Sequence, residues 1–501
     1  MQFRIADTFA ELPGDEAKAE AAGRGLVRLA AVLCLSAALS VHAASFLRDP
    51  FGTAGQVPVG RAQAWKGAGA DPCATLAPRA RPWTLVDVVD RALCENPQTR
   101  ETWAAARAQA ARLGASESAY LPTINLTMNA SRSRISSSGG FQIPAQNRLS
   151  PSLSLDYLLF DFGGRSAAVA NARETLYAAD WTHNATLQSV LLGAVQGYYR
   201  VFAARAGARA ARASEQSSRE ALDAARLRYR VGAATLADEL QARTAYAQAR
   251  LARQQAGGTA RIARGTLANA LGLPADTPLR LAPPAAGEPT AQDRRNVRAL
   301  IARAEAARPD LAAAEARVRA AGAAVRQARA LGLPSLSLVG GGGYAYSDVL
   351  NDTRNWNIGL SLRIPLFTGF STTYQVEAAR ADLENRRAQR NRLRNQIALD
   401  VWRAYQNLET ARDTLASSRV LLTSARESAK VALGRYRAGA GTIVDLLSAQ
   451  ASLANARQQG VQARYDWYIG RAALAQALGR LDLRTARSLS SFQEPAKESI
   501  R

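Results

Sequence analysis

Side chains that could do acid–base or metal chemistry are sparse in this sequence. It holds two histidines, His42 and His183, and three cysteines in 501 residues. His183 lies in a long helical segment, so we interpret it as a surface or packing residue rather than a general base. We find no phosphate-binding glycine loop, nucleophile motif or metal-ligand spacing in the sequence. The sequence therefore predicts no enzyme: no catalytic residue, no metal and no cofactor.

Two cysteines outside the N-terminal apolar stretch have a structural use. Cys73 and Cys94 do not have the spacing of a metal site. In an oxidising compartment they could form a disulfide that stabilises the fold by about 3 kcal/mol. Two free thiols are the alternative that the sequence leaves open.

The charge of the chain is strongly basic, with a net charge of +23. Nearly all of it comes from Arg, because only 4 of the 64 basic residues are Lys. These arginines are spread along helical segments among Asp and Glu, whereas a nucleic-acid binder would gather them on one stripe. We therefore expect solvated helix faces and no nucleic-acid partner.

The N-terminus reads as a targeting segment. Arg24 and Arg28 precede a short apolar run that ends at Val41-His42-Ala43, which predicts a secretory signal peptide over 1–43 with an extended leading region. A membrane anchor is the alternative, although the run is short for a span. Residues 44–82 are rich in Pro, Gly and Ala and predict a flexible tail.

The remaining chain is duplicated. The motif Arg-Tyr-Arg-x-Gly-Ala-x-Thr begins at Arg228 and again at Arg435, 207 residues later. Each copy predicts a helix, a glycine turn and a returning helix, with Thr235 as a helix N-cap. We expect a first structural repeat over 83–280, a linker over 281–295, a second repeat over 296–482 and a C-terminal tail over 483–501.

Both repeats contain a pair of alternating apolar and polar segments. In the first, two strands of about ten residues are expected within 121–162, joined by a long polar loop over 131–150. In the second, the alternation runs from Leu336 to Ile364. This pattern suits strands of a membrane barrel with apolar side chains facing lipid. Asp156 and Arg363 fall on the polar phase, which predicts that they face the barrel lumen.

Long helical regions follow each strand pair. No proline occurs between Pro151 and Pro274, so a helix of about 65 residues and roughly 100 Å is expected from Gly164 to Tyr229. We expect helices of this length to pack against antiparallel coiled-coil partners. Four strands cannot close a barrel, so at least two chains must share one, and three chains would supply about 12 strands.

This layout resembles the TolC-like family of outer-membrane efflux and secretion channels over about residues 81–482. The most specific marks are the two Arg-Tyr-x-x-Gly-x-x-Thr turns and the Leu-Phe junctions with a following glycine at Phe160 and Phe367. Asn96-Pro97 and Arg308-Pro309 add to them. The resemblance implies a mainly α fold with transmembrane β structure: a homotrimeric 12-stranded β-barrel in the outer membrane, continued by an α-helical coiled-coil tunnel across the periplasm.

The resemblance also assigns an aperture at the helical tips. Tyr436 matches a family tyrosine that latches the periplasmic opening, and Asp238 matches its acidic partner. Gly441 stands where the family has a latch arginine, so the same network cannot form intact. Asp445 matches a ring of carboxylates that constricts the opening, whereas Ser448 replaces a second ring. For both aspartates, charge complementing a helix N-terminus is the alternative role.

The turns themselves match the family's adaptor-contact tips. The positions concerned are Arg230, Gly232, Arg437 and Gly439, although the glycines could serve only to permit a left-handed turn. The implied partners are a periplasmic membrane-fusion adaptor, an inner-membrane ABC transporter, outer-membrane lipid and a secreted protein substrate. We therefore expect an outer-membrane channel of type I secretion of a protein toxin. A multidrug efflux channel, a periplasmic coiled-coil adaptor and a structural scaffold are the alternatives.

Overall fold

The structure is a computed structural model that describes residues 49–65, 73, 81–136, 142–284, 296–348 and 351–485. The predicted signal peptide over 1–43 lies outside the described residues. The chain divides into two units, residues 1–53 and 54–501, and both repeats lie in the second.

The described elements follow one order twice. The first repeat comprises α1 (Leu85–Glu95), α2 (Pro97–Glu117), β1 (Thr123–Ser136), β2 (Gln142–Phe160), α3 (Gly164–Arg230) and α4 (Leu236–Ala270). The second comprises α5 (Val297–Ala307), α6 (Pro309–Ala330), β3 (Ser335–Ser347), β4 (Thr353–Arg363), α7 (Ser371–Arg437) and α8 (Ile443–Ala477). Short 3-10 helices cover Thr53–Gln56 and Ser118–Tyr120.

The long helices match the duplication in length as well as in sequence. α3 and α7 each have 67 residues, and α4 and α8 each have 35. The predicted length of the first long helix is thus confirmed. Its Ala-rich, proline-free sequence allows this length, and packing against the returning helix stabilises it.

Capping boxes start three of the helices, and the one at Thr235 lies where the sequence predicts it. The hydroxyls of Thr84, Thr235 and Thr442 each accept from the backbone N–H three residues on, and an aspartate side chain at that position bonds back to the threonine N–H. Each box satisfies two of the helix's unpaired N–H groups.

The four strands form one antiparallel sheet in the order β1-β2-β3-β4. Directly paired residues share a face of such a sheet, and the register aligns Ile124 with Leu155 and Leu336 with Leu362. Leu155 in turn lies opposite Gly340. One face is therefore apolar across the sheet. Ile124 and Leu362 on this face are exposed in the single chain, and Leu155 and Leu336 are half-buried.

The predicted polar loop over 131–150 is wrong in extent. β1 continues to Ser136 and β2 begins at Gln142, so most of that segment is strand. The serines and arginines pair in register, as Ser131 with Arg148 and Ser133 with Gln146. Strand pairing needs only backbone groups, so polar side chains extend a hairpin wherever both faces are not buried.

The largest core joins the two repeats beside the middle of the long helices. It contains Leu93 of α1, Val195 of α3, Leu267 of α4 and Trp467 of α8. The rings of Tyr199 and Tyr468 stack there with centroids 4.9 Å apart. At this core, apolar burial therefore holds repeat one to repeat two.

Part of the segment predicted as a flexible tail, 44–82, is packed. The backbone N–H of Trp65 donates to Asn184 Oδ1 at 2.8 Å, and Asn184 Nδ2 donates to the Trp65 carbonyl at 3.1 Å. The Trp65 ring also meets Trp181 edge-on. The sequence analysis missed this contact, because Pro and Gly content gives no sign of a single indole that docks on a distant helix.

His183 is a packing residue. It is fully buried on α3, and its Nδ1 lies 2.9 Å from the hydroxyl of Thr102. Burial lowers the pKa of His183 to about 4, so the imidazole is neutral at pH 7.

Cys73 and Cys94 form a disulfide, with their Cα atoms 5.6 Å apart. The bond closes a loop of 21 residues and ties the segment before α1 to that helix. We expect Cys94→Ser to lower the free energy of unfolding by about 3 kcal/mol, because the unfolded chain regains the loop entropy.

The test is thermal melting of the helical circular dichroism signal in detergent. Cys73→Ser should give the same shift, and reductant should lower the wild-type melting temperature but not that of either variant. A wild-type melting temperature unchanged by full reduction would contradict the prediction.

No helix in the described part of the chain is both long and apolar enough to cross a membrane. Within the same residues, no three His, Cys, Asp or Glu side chains gather as metal ligands would.

Candidate functional site

The tips of the two helical hairpins carry the residues that the sequence analysis singled out. Gly232 has φ +75° and Gly439 has φ +79°, a region that favours glycine. The backbone N–H of Ala233 donates to the Arg228 carbonyl, and that of Ala440 to the Arg435 carbonyl. The two turns are therefore the same structure in both repeats.

Arg228 joins the tip of the first repeat to the tip of the second. Its guanidinium donates to the backbone carbonyl of Tyr436 and lies over the Tyr436 ring, 4.8 Å from the centroid. Its other nitrogen donates to the Ala233 carbonyl at 3.1 Å. A Cβ at Gly439 would lie 3.9 Å from the same guanidinium, an ordinary contact distance, so the left-handed backbone rather than the space favours glycine there. We call this set of contacts the Arg228 clamp.

Tyr436 is buried by the clamp and by apolar neighbours, and only 2% of it is exposed. It packs with Leu222 of α3 and with Ile443 and Leu446 of α8. Burial raises the pKa of the Tyr436 hydroxyl; the Arg228 charge lowers it and the Asp238 carboxylate raises it. The hydroxyl has no hydrogen-bond partner in the described structure.

Asp238 is near Tyr436 but does not bond to it in the described structure. Its carboxylate accepts instead from the backbone N–H of Thr235 at 2.9 Å. The acidic residue predicted to latch Tyr436 therefore caps its own helix in this conformation.

Asp445 occupies the equivalent position in the second repeat and is exposed. The Thr442 hydroxyl donates to its carboxylate at 2.8 Å. The Thr442 hydroxyl and backbone N–H hold the pKa of Asp445 below its ordinary value, so the carboxylate is ionised at neutral pH. Ser448, one helical turn on, is also exposed.

Gly441 is closely surrounded by the backbone and side chain of the preceding helix end. A Cβ there would lie 3.2 Å from Cβ of Arg435 and 3.4 Å from the Tyr436 nitrogen. An arginine at this position would require its neighbours to shift.

The remaining candidates are exposed to solvent in the single chain. Arg230, Gly232, Arg437 and Gly439 all lie at the outer ends of the hairpins. Asp156 and Arg363 are exposed on the sheet face opposite the apolar one, because Asp156 pairs with Thr123, and Arg363 with Ser335. The structure brings Arg228, Tyr436 and Asp238 together, and it leaves Asp156 and Arg363 far from them in the fold.

A family model described as outer membrane efflux protein matches residues 88–273 and 300–480. These two segments cover both repeats and both tips. The chain belongs to the outer membrane efflux protein family. Its members are channels rather than enzymes, and this chain is an outer-membrane protein with a periplasmic helical tunnel.

Curated relatives agree with this family. The chain is 32% identical to Protein CyaE of Bordetella pertussis over 394 residues, which cover 78% of this chain and 82% of that protein. It is 25% identical to the outer membrane protein TolC of Escherichia coli K12, covering 79% and 82% of the two chains.

Solved structures show the same fold. The outer-membrane channel OprN matches with a TM-score of 0.71 at 22% identity, covering 84% of this chain and 98% of that one. The CmeC outer membrane channel of Campylobacter jejuni matches with a TM-score of 0.72 at 19% identity, covering 82% and 90%. The predicted fold class is confirmed: a mainly α chain with internal duplication, whose four strands are its share of a trimeric 12-stranded barrel above a coiled-coil tunnel.

The sequence analysis missed one site residue, Arg228. The arginine was visible as the first residue of the repeated turn, with Arg435 as its copy. Its contact with Tyr436 joins positions 208 residues apart, which periodicity within one hairpin cannot reveal. The family match also removes the hypotheses of a periplasmic adaptor and of a structural scaffold.

Proposed function

We propose that the protein is the outer-membrane channel of a type I secretion system. Its cargo would be a protein toxin, which would pass from an inner-membrane ABC transporter to the exterior. The homotrimer would close the barrel and the helical tunnel, and its tips would meet a periplasmic membrane-fusion adaptor. The observation that carries the proposal is the 32% identity to Protein CyaE over most of both chains. The sequence of this chain also resembles the outer-membrane component that exports the Bordetella adenylate cyclase-haemolysin toxin.

A second function, small-molecule efflux, is favoured by other relatives. The chain is 26% identical to the outer membrane efflux protein BepC of Brucella suis and 27% identical to the pyoverdine export outer membrane protein OpmQ of Pseudomonas aeruginosa. Both functions use one channel, so the cargo would be chosen by the adaptor and the transporter.

We further propose that the tips form the aperture and that the Arg228 clamp holds it. Tyr436 and Asp238 would flank the contact between the two hairpin tips, and Asp445 would supply one ring of three carboxylates. The capping roles of Asp238 and Asp445 are compatible with this, because a carboxylate that accepts from its own N-cap still carries its charge. Arg230, Gly232, Arg437 and Gly439 would contact the adaptor, and Asp156 and Arg363 would line the barrel lumen.

The experiment is deletion of the gene in its native host, with wild-type complementation as the control. Culture supernatant should lose a discrete protein, while susceptibility to detergents and drugs should change little. An unchanged set of secreted proteins together with raised drug susceptibility would overturn secretion in favour of efflux.

A further inference from the structure

The sheet of one chain has two open edges. β1 and β4 are its outer strands, and each pairs on one side only within the described chain. In a bilayer the unpaired N–H and C=O groups of an edge strand have no water to bond to, so the edge must be closed. A second copy of this chain is the occupant that carries the complementary edge.

The duplication makes the strands of the two repeats equivalent residue by residue. Thr123 pairs with Asp156 in the first repeat, and Ser335 pairs with Arg363 in the second. Thr123 and Ser335 are the first residues of β1 and β3, so a β1 residue corresponds to the β3 residue 212 positions on. Their partners Asp156 and Arg363 then match a β2 residue with the β4 residue 207 positions on.

Two features outside the strands anchor this correspondence. Leu-Pro precedes the first strand of each repeat, with the prolines at Pro122 and Pro334, again 212 apart. The N-cap residues of α3 and α7, Gly163 and Phe370, both have a left-handed backbone and lie 207 apart. If the strands of the two repeats were matched with any other offset, neither the two prolines nor the two N-cap residues would correspond.

The contact between the repeats then serves as a template for the contact between chains. Within one chain, β2 meets β3 with Leu155 opposite Gly340 and Ser154 opposite Gly341. We propose that β4 of one chain pairs with β1 of the next in the equivalent register, which places Leu362 opposite Met128 and Ser361 opposite Asn129. The proposal rests on the homotrimer of the proposed function and adds the register of its barrel seams.

The chemistry of the seam agrees with this register. Leu362 and Met128 are apolar and exposed in the single chain, at 61% and 56%, and each lies on the apolar face of the sheet. Ser361 and Asn129 lie on the polar face. A shift by one residue would turn polar side chains to lipid. A shift by two residues would keep apolar side chains on one face, so only the duplication favours the proposed register over the shifted one.

Disulfide cross-linking of paired cysteines tests the register on the full-length protein. Directly opposed residues have Cα atoms about 4.5–5.5 Å apart, within reach of a disulfide, whereas positions two residues along are about 7–8 Å away. After oxidation in the membrane, Met128→Cys with Leu362→Cys should shift the denatured band from one chain to two and three chains. The matched control, Met128→Cys with Leu360→Cys, should stay at the mass of one chain.

A second pair of cysteine substitutions, on the polar face, tests the same register if the variant on the apolar face fails to assemble. Asn129→Cys with Ser361→Cys should cross-link, and Asn129→Cys with Gly359→Cys should not. Preferential cross-linking of the control pairs, or intact trimers that cross-link in none of the four variants, would overturn the register. A wild-type protein that forms no trimer would instead contradict the homotrimer of the proposed function.

Discussion

Gly272→Ala should prevent stable folding of the first repeat. Gly272 ends α4 with φ +73°, and a Cβ there would lie 2.4 Å from the carbonyl oxygen of Glu95 and 2.9 Å from its carbon. Both are backbone atoms at the junction of α1 and α2, where Asn96 Nδ2 also donates to the Ala270 carbonyl at 2.9 Å. The clash cannot be relieved by a side-chain rotation. Together with the strain of a left-handed alanine, we expect a loss of about 4 kcal/mol or more.

The measurement is thermal melting of the helical signal in detergent, together with the yield of folded protein. Gly232→Ala is the matched control, because it has a similar φ of +75° but nothing within 4 Å of its Cβ. It should lose only the conformational strain, about 1 kcal/mol. Gly479→Ala should repeat the large effect, since its Cβ would lie 2.9 Å from the Ala307 carbonyl. Equal losses for Gly232→Ala and Gly272→Ala would contradict the close approach.

Arg228→Ala should loosen the two tips from each other. The substitution removes hydrogen bonds from a charged donor to two backbone carbonyls and the contact with the Tyr436 ring. The bond to the Ala233 carbonyl lies within the first tip, so only the bond to the Tyr436 carbonyl and the contact with its ring join the two tips. These two contacts contribute about 2 kcal/mol, so an equilibrium between joined and separated tips would shift roughly thirtyfold. Single-channel recordings should then show a larger and longer-lived open state than the wild type.

Arg435→Ala separates this role from the loss of one arginine. Arg435 holds the second turn through the Ala440 carbonyl at 3.2 Å, as Arg228 holds the first through Ala233. In the described chain, the clamp on the other tip comes from Arg228, so Arg435→Ala should change the open state much less. An identical effect of both substitutions, or no effect of Arg228→Ala on conductance, would remove the clamp from the aperture.

The sequence was informative wherever structure is local. The proline-free helices, the Thr235 cap and the strand alternation follow from neighbours along the chain, and the long helices and this cap are found as predicted. The extent of β1 and β2 was not local in this sense, because pairing partners rather than side-chain polarity decide where a hairpin stops.

Contacts between distant segments could not be predicted. The Cys73–Cys94 bond depends on where the segment before α1 lies, so the sequence left it open. The docking of Trp65 on α3 and the Arg228 clamp depend on how separate segments pack. Gly272 stands in a Leu-Gly pair that recurs as Leu478-Gly479, but the close approach of Gly272 to Glu95 appears only in the folded chain.

Planar-bilayer recording of the purified full-length protein, with its mass in detergent measured first, addresses the channel itself. We expect a trimer that inserts and gives discrete steps with a preference for cations. Asp445→Asn should weaken that preference, since one carboxylate attracts a cation about 4 Å away by about 1 kcal/mol in water, or roughly fivefold in occupancy. Asp276→Asn, at an exposed position in the turn that follows α4, serves as the control for charge elsewhere in the protein. A trimer whose selectivity ignores Asp445 would keep the channel and remove the carboxylate ring, whereas a protein that never inserts or conducts would contradict the channel.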